Sequence, residues 1–180
     1  MKYFLDIAYN GSNYHGWQVQ ENAHTVQQEL NNALQTLFQL PVETMGSGRT
    51  DTGVHAVQQF VQMELDKTLT EDHIFKLNCI LPGDIYIRNF FRVKDDASVR
   101  FDAQSRTYHY KICREKDPFH RGLAYLFYKD LDMEKMNKAS KLLFKYEDFQ
   151  SFSKVKTSVD HFLCDIKKAE WKRKNGLLIF

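Results

Sequence analysis

The hydrophobic pattern of residues 2–93 switches between a two-residue and a 3.6-residue period in an order that few folds accept. Lys2–Tyr9, KYFLDIAY, is a short apolar and aromatic run of the kind that forms a strand, and the loop NGSNYHG closes it. Thr25 then opens a helical stretch. Gln28, three residues on, suits a capping box, and Val26, Leu30, Ala33, Leu34 and Leu37 fall at helical spacing. Residues 42–45 and 57–65 read as strands, the second setting Val57, Val61, Met63 and Leu65 against Gln58, Gln62 and Glu64. A second helix runs from its Thr70 cap to the stop at Pro82, and DIYIRNFFRV is a further strand. The order β-α-β-β-α-β predicts the split βαβ, or ferredoxin-like, arrangement: one antiparallel sheet with two helices on one face.

A second round follows. SRTYHYKICRE reads as a strand with Tyr108, Tyr110 and Ile112 on one face, and DMEKMNKASKLLFKY as an amphipathic helix through Met133, Met136, Ala139, Leu142 and Leu143. The stretch DIKKAEWKRKNGLLIF reads as a hairpin turning at Asn175–Gly176. The expectation is an α+β chain of two ferredoxin-like halves with a cleft between them, a catalytic half over 1–96 and a basic, RNA-facing half over 97–180. The second half stops after β-α-β-β, so it reads as truncated, with Leu177 to Phe180 as an unpaired edge open to self-association.

At 180 residues, 43% hydrophobic and 27% charged, the chain has the makeup of a globular protein. It has neither an apolar run long enough for a membrane span nor the leader pattern of a secreted protein, so a cytoplasmic location is expected. Three cysteines, Cys79, Cys113 and Cys164, lack metal-ligand spacing and read as reduced thiols, and no metal is expected. The net charge of +2 is small but uneven, because Lys154, Lys156, Lys167, Lys168, Lys172, Arg173 and Lys174 crowd the end of the chain. Such a cluster suits either a solvated strand surface or an RNA contact.

MGSGRTDTGVHA, residues 45–56, places Arg49 and Asp51 two positions apart in a glycine-rich turn between strands. An aspartate there either caps the turn or presents a carboxylate at a sheet edge as nucleophile or general base, with Arg49 directed at phosphate or at an extruded base. His55 reads as a packing or hydrogen-bonding residue rather than a base. In YNGSNYHGWQVQ, residues 9–20, Trp17 either covers the core or meets a ligand.

GRTDTGVHA, YNGSNYHGWQVQ, TVQQEL and RFDAQSRTYHYKI together resemble the pseudouridine synthase A family of tRNA-modifying enzymes, in the family's order along the whole chain. The resemblance implies an isomerase, working without a cofactor and usually as a homodimer, that converts uridine to pseudouridine at positions 38 to 40 of the tRNA anticodon stem-loop. It implies Asp51 as the catalytic aspartate, Arg49 as the arginine that helps turn out the target nucleotide, and Tyr108 as the tyrosine that stacks on the flipped uracil. Two departures stand out. SVRF, residues 98–101, replaces the family's His-Ala before Arg-Phe, and a basic residue that pairs with the aspartate belongs to a motif beyond Leu177. The competing readings are a non-catalytic RNA-binding fragment of such an enzyme, and a hydrolase built on Asp51 and His55 that would need a third group to orient the histidine.

Overall fold

The computed structural model describes residues 1–153 and 161–180, so Lys154 and Lys156 of the basic cluster lie outside the described residues. The chain divides into two compact units, Met1–Arg106 and Thr107–Phe180.

The first unit runs β1 (Lys2–Tyr9), α1 (Val26–Phe38), β2 (Thr44–Gly46), β3 (Ala56–Glu64), α2 (Glu71–Ile80) and β4 (Ile85–Arg92). Its sheet has the order β2-β3-β1-β4 with every pair antiparallel, which is the split βαβ topology. Strand β1 alternates strictly, burying Tyr3, Leu5, Ile7 and Tyr9. These join Val26, Leu30, Ala33, Leu34 and Phe38 of α1 and Ile74 and Leu77 of α2 in one core. Helix α1 begins where Thr25 accepts the Gln28 N–H at 3.4 Å, one half of the expected box. The reciprocal pair is found at α2, where Thr70 and His73 cap each other. Along β4, the Asn78 side chain acts like a short piece of strand. Its amide donates to Ile87 O and its oxygen accepts from Ile87 N, both at 2.8 Å.

Strand β3 departs from the predicted alternation at its first turn. Ile7 pairs with Gln59 and Tyr9 with Ala56, so Val57 and Gln58 together face the single residue Ala8. This bulge turns Val57 outward, 74% exposed, and the buried position on that face passes to Gln59.

The second unit runs β5 (Lys111–Cys113), β6 (Tyr125–Leu126), α3 (Met133–Ser140), β7 (Lys172–Lys174) and β8 (Leu177–Ile179). Strands β5, β8 and β7 repeat the β1-β3-β2 neighbourhood of the first sheet, antiparallel throughout, and the hairpin turns at Asn175 and Gly176 with φ of 51° and 78°. Two positive φ values in succession mark the primed turn that an Asn-Gly pair favours. The sheet is not purely antiparallel, however. Strand β6 pairs with β5 in parallel at the edge where the first sheet has β4. It reaches that edge through a turn at Pro118–His120, and Phe127 N–H bonds Cys113 O at 2.9 Å.

Three further expectations are corrected. Leu177 to Phe180 is no bare edge, because β8 lies between β5 and β7, Leu177 and Leu178 are buried, and Phe180 exchanges two hydrogen bonds with Tyr110. The strand predicted from Ser105 is short, beginning at Lys111 with Tyr110 as its last paired neighbour. The helix predicted through Leu143 ends at Ser140, whose hydroxyl donates to Met136 O at 2.9 Å and so competes with the backbone ladder. Residues Lys141–Lys145 tighten to a 3-10 turn, and Leu142 is exposed.

Leu34 is fully buried between α1 and the sheet. Leu34→Ala is expected to destabilise the first unit by about 2–5 kcal/mol through lost burial and the cavity left behind, read as a lowered urea midpoint.

Candidate active site

The loop between β2 and β3, residues 47–55, carries both charges singled out in the sequence, and Arg49 and Asp51 are exposed. Its backbone is held along most of its length. Ser47 N–H donates to Phe60 O at 2.8 Å, and Ser47 O accepts from Arg106 Nε at 3.2 Å and Nη2 at 2.7 Å. Gly48 O accepts from Gln59 Nε2 at 3.3 Å, and Thr50 O accepts from Trp17 N–H at 3.1 Å. Val54 N–H returns to Asp51 O at 3.1 Å, closing a turn whose third residue, Gly53, takes the left-handed φ of 76°. Gly53 N–H donates in turn to Tyr14 O at 3.2 Å.

The partner in two of these bonds, at Thr50 and Gly53, is the loop after β1. It is fixed from its other side by Asp84, which accepts from the Tyr14 hydroxyl and from Asn13 Nδ2, while Asp84 O accepts from Asn10 N–H. Burial, reinforced by the Asp84 carboxylate, pushes the Tyr14 phenol well above the usual tyrosine range, so it stays a donor. The two loops meet backbone to backbone. A side chain at Gly16, whose φ is 92°, would stand 2.5 Å from Thr50 O, and one at Gly11 would overlap the Val54 carbonyl. Trp17 is buried and stacks beside Tyr9 with ring centroids 6.1 Å apart, so it covers the core rather than presenting a face to a ligand.

His55 Nδ1 accepts the Gly11 N–H at 3.0 Å. That nitrogen's lone pair is committed to the fold, in keeping with a hydrogen-bonding role. Tyr108 belongs to the second unit, 70% exposed and ahead of β5. In the same unit the C-terminal cations are partly matched by acids: Lys167 pairs with Asp165, and Lys168 and Lys172 flank Glu170 at 2.8 and 2.9 Å. The Lys168 ammonium, with Lys172, holds the Glu170 carboxyl below the usual range. Arg173 and Lys174 are exposed on β7. No helix among the described residues is long and apolar enough to cross a membrane.

No protein-family model matches the chain. Individual proteins do. It is 46% identical over 176 residues to the tRNA pseudouridine synthase A of Bacteroides thetaiotaomicron, covering 97% of this chain and 65% of that one. The tRNA pseudouridine synthase A of Porphyromonas gingivalis is 46% identical over 177 residues, 94% of this chain and 69% of the relative. The protein of that name from Parabacteroides distasonis is 43% identical over 182 residues, 99% of this chain and 72% of the relative. The chain belongs to the tRNA pseudouridine synthase A family. It spans about two thirds of the length of the curated relatives it matches.

Several residues that shape the loop in this family member escaped the motif reading. Gln59 had a signal, since a polar residue stands on the parity of Val61, Met63 and Leu65. Arg106 lies within the quoted SRTYHY stretch, but nothing in a linear sequence pairs it with Ser47. Gly11 and Gly83 offer a test of the backbone contact. Gly11→Ala is expected to destabilise by about 1–3 kcal/mol in urea unfolding through overpacking against Val54. Gly83→Ala, with no atom within 4 Å of the added carbon, is expected to leave the midpoint unlowered or to raise stability by up to about 1 kcal/mol.

Proposed function

We propose that this chain carries the site that isomerises uridine to pseudouridine at positions 38 to 40 of the tRNA anticodon stem-loop, with Asp51 as the catalytic carboxylate. The observation that supports this most directly is an exposed Arg49 and an exposed Asp51 on a loop whose backbone is tied down on both sides of them. A carboxylate on a rigid support can act at a fixed point without reorganising.

The reaction breaks the bond from ribose C1′ to uracil N1, rotates the freed base, and rejoins C1′ to C5. The C5 proton is then lost and N1 gains one. Asp51 can enter by attack on C6, by attack on C1′, or by removing a ribose proton. Extruding the nucleotide costs a few kcal/mol, offset by charge contacts and stacking. Arg49 is assigned to hold the turned-out nucleotide through its phosphate or base, and Tyr108 to stack on the uracil. The exposed Arg173 and Lys174 are assigned to the RNA backbone. A homodimer in the cytoplasm completes the proposal.

Release of tritium from tRNA labelled at uridine C5 tests it. Asp51→Asn and Asp51→Ala are expected to reduce release by at least about 100-fold while tRNA affinity stays within a few-fold. Residual turnover above that level would remove Asp51 from the chemistry. RNA binding without turnover, the alternative, predicts no release from the unsubstituted protein and equal affinities throughout.

Tyr108→Phe is expected to preserve binding and slow the rate. Tyr108→Leu is expected to weaken tRNA binding by about 1–3 kcal/mol, the size of one stacked base. Equal affinities for the Phe and Leu variants would exclude stacking.

A further inference from the structure

Beneath the 47–55 loop lies a buried polar chain that no motif in the sequence announces. Tyr9 and Gln59 are 4% and 7% exposed, in an otherwise apolar layer. Gln59 Nε2 donates to Gly48 O at 3.3 Å, which orients the amide so that its oxygen faces Tyr9. The Tyr9 hydroxyl donates to that oxygen at 3.0 Å. With its one hydrogen committed there, the 2.8 Å contact between Tyr9 Oη and Thr50 Oγ1 has threonine as donor. The chain therefore runs one way, Thr50 to Tyr9 to Gln59 to the Gly48 carbonyl.

Its two ends grip the residues on either side of Arg49, and Thr50 is also the residue before Asp51. Neither Tyr9 nor Gln59 is exposed to a substrate. Gly46 closes the layer from above, where an added carbon would lie 2.6 Å from both Gln59 Nε2 and Trp17 Nε1. The missing side chain at Gly46 thus makes the room that the amide and the indole occupy. Buried networks of this kind are strong when complete and costly when one member is lost, because the remaining polar atoms have no water to turn to.

We infer that Tyr9 and Gln59 are positioning residues that set the placement of Arg49 and Asp51 for the isomerisation, an inference that rests on the functional reading above. The two act as one unit, so removing either releases the same loop.

Tyr9→Phe, which keeps the ring and its packing, Gln59→Met, and the double variant are compared with the native protein in the tritium-release assay. Thermal unfolding and amide hydrogen exchange of the 47–55 peptides are read in parallel. Each single variant is expected to lower kcat by about 10–100-fold with KM within about two-fold, as expected when reacting groups are slightly misplaced. The double variant is expected to be no worse than the poorer single, and exchange at 47–55 is expected to quicken while β4 is unchanged. A kcat within two-fold of native, multiplicative losses in the double variant, or unchanged exchange at 47–55 would overturn the inference. So would a uniform loss of stability across the first unit. If the unsubstituted protein forms no pseudouridine, the functional reading fails, and the exchange data still decide whether Tyr9 and Gln59 hold the loop.

Discussion

The contact between residues 10–17 and 47–55 is made mainly by backbone, with one bond to the His55 ring, and the rest of the loop's supports are arranged around it. Glycine at 11 and 16 lets the two chains approach until carbonyl oxygens occupy the space a side chain would need. Once that close, the loops exchange main-chain bonds at Trp17 with Thr50 and at Gly53 with Tyr14. A main-chain contact of this type leaves Arg49 and Asp51 exposed on the second loop. It explains how a turn rich in glycine, a residue that loosens most chains, can be rigid here.

Around that contact the unit places a graded set of supports. Closest are the buried Tyr9 and Gln59 and the guanidinium of Arg106, which occupies the Ser47 carbonyl with two nitrogens. Farther out, Asp84 anchors the Tyr14 loop at the start of β4. The second unit is built more lightly. Among its described residues the buried apolar side chains are Ile112, Cys113, Leu177 and Leu178, against a cluster drawn from β1, α1, β3, α2 and β4 of the first.

The sequence was most legible where one period ran unbroken. The apolar run Lys2–Tyr9 led to the observed strand, and the helical spacing of Val26, Leu30, Ala33 and Leu34 led to the observed helix and its buried face. It was less legible where a local bond or a bulge overrode the pattern. Val57 fits the apolar parity of β3 but is turned out by the extra residue opposite Ala8, and Ser140 ends a helix whose periodicity continues to Leu143. At the candidate site, the motif supplied Arg49 and Asp51, whereas the side chains that bond their loop came from other segments. A sequence does not display that Tyr9 reaches Thr50, or that Arg106 reaches Ser47, because those pairings are products of the sheet order.

The sheet order also governs how the site comes into being on the ribosome. Strand β1 is made early, yet it is an inner strand, with Tyr3 opposite Met63 on one side and Arg92 on the other. Both of its edges stay bare until those later segments have left the exit tunnel, and such non-local pairing is slow to form and exposed to aggregation while it waits. The Tyr14 loop has its anchor only when Asp84 has been synthesised, and the 47–55 loop, held from β3 by Gln59 and Phe60, gains its Arg106 support later still. Although Asp51 lies near the middle of this unit in sequence, its setting is therefore among the last parts to be completed, and a nascent chain stalled before β4 would carry the motif without the geometry.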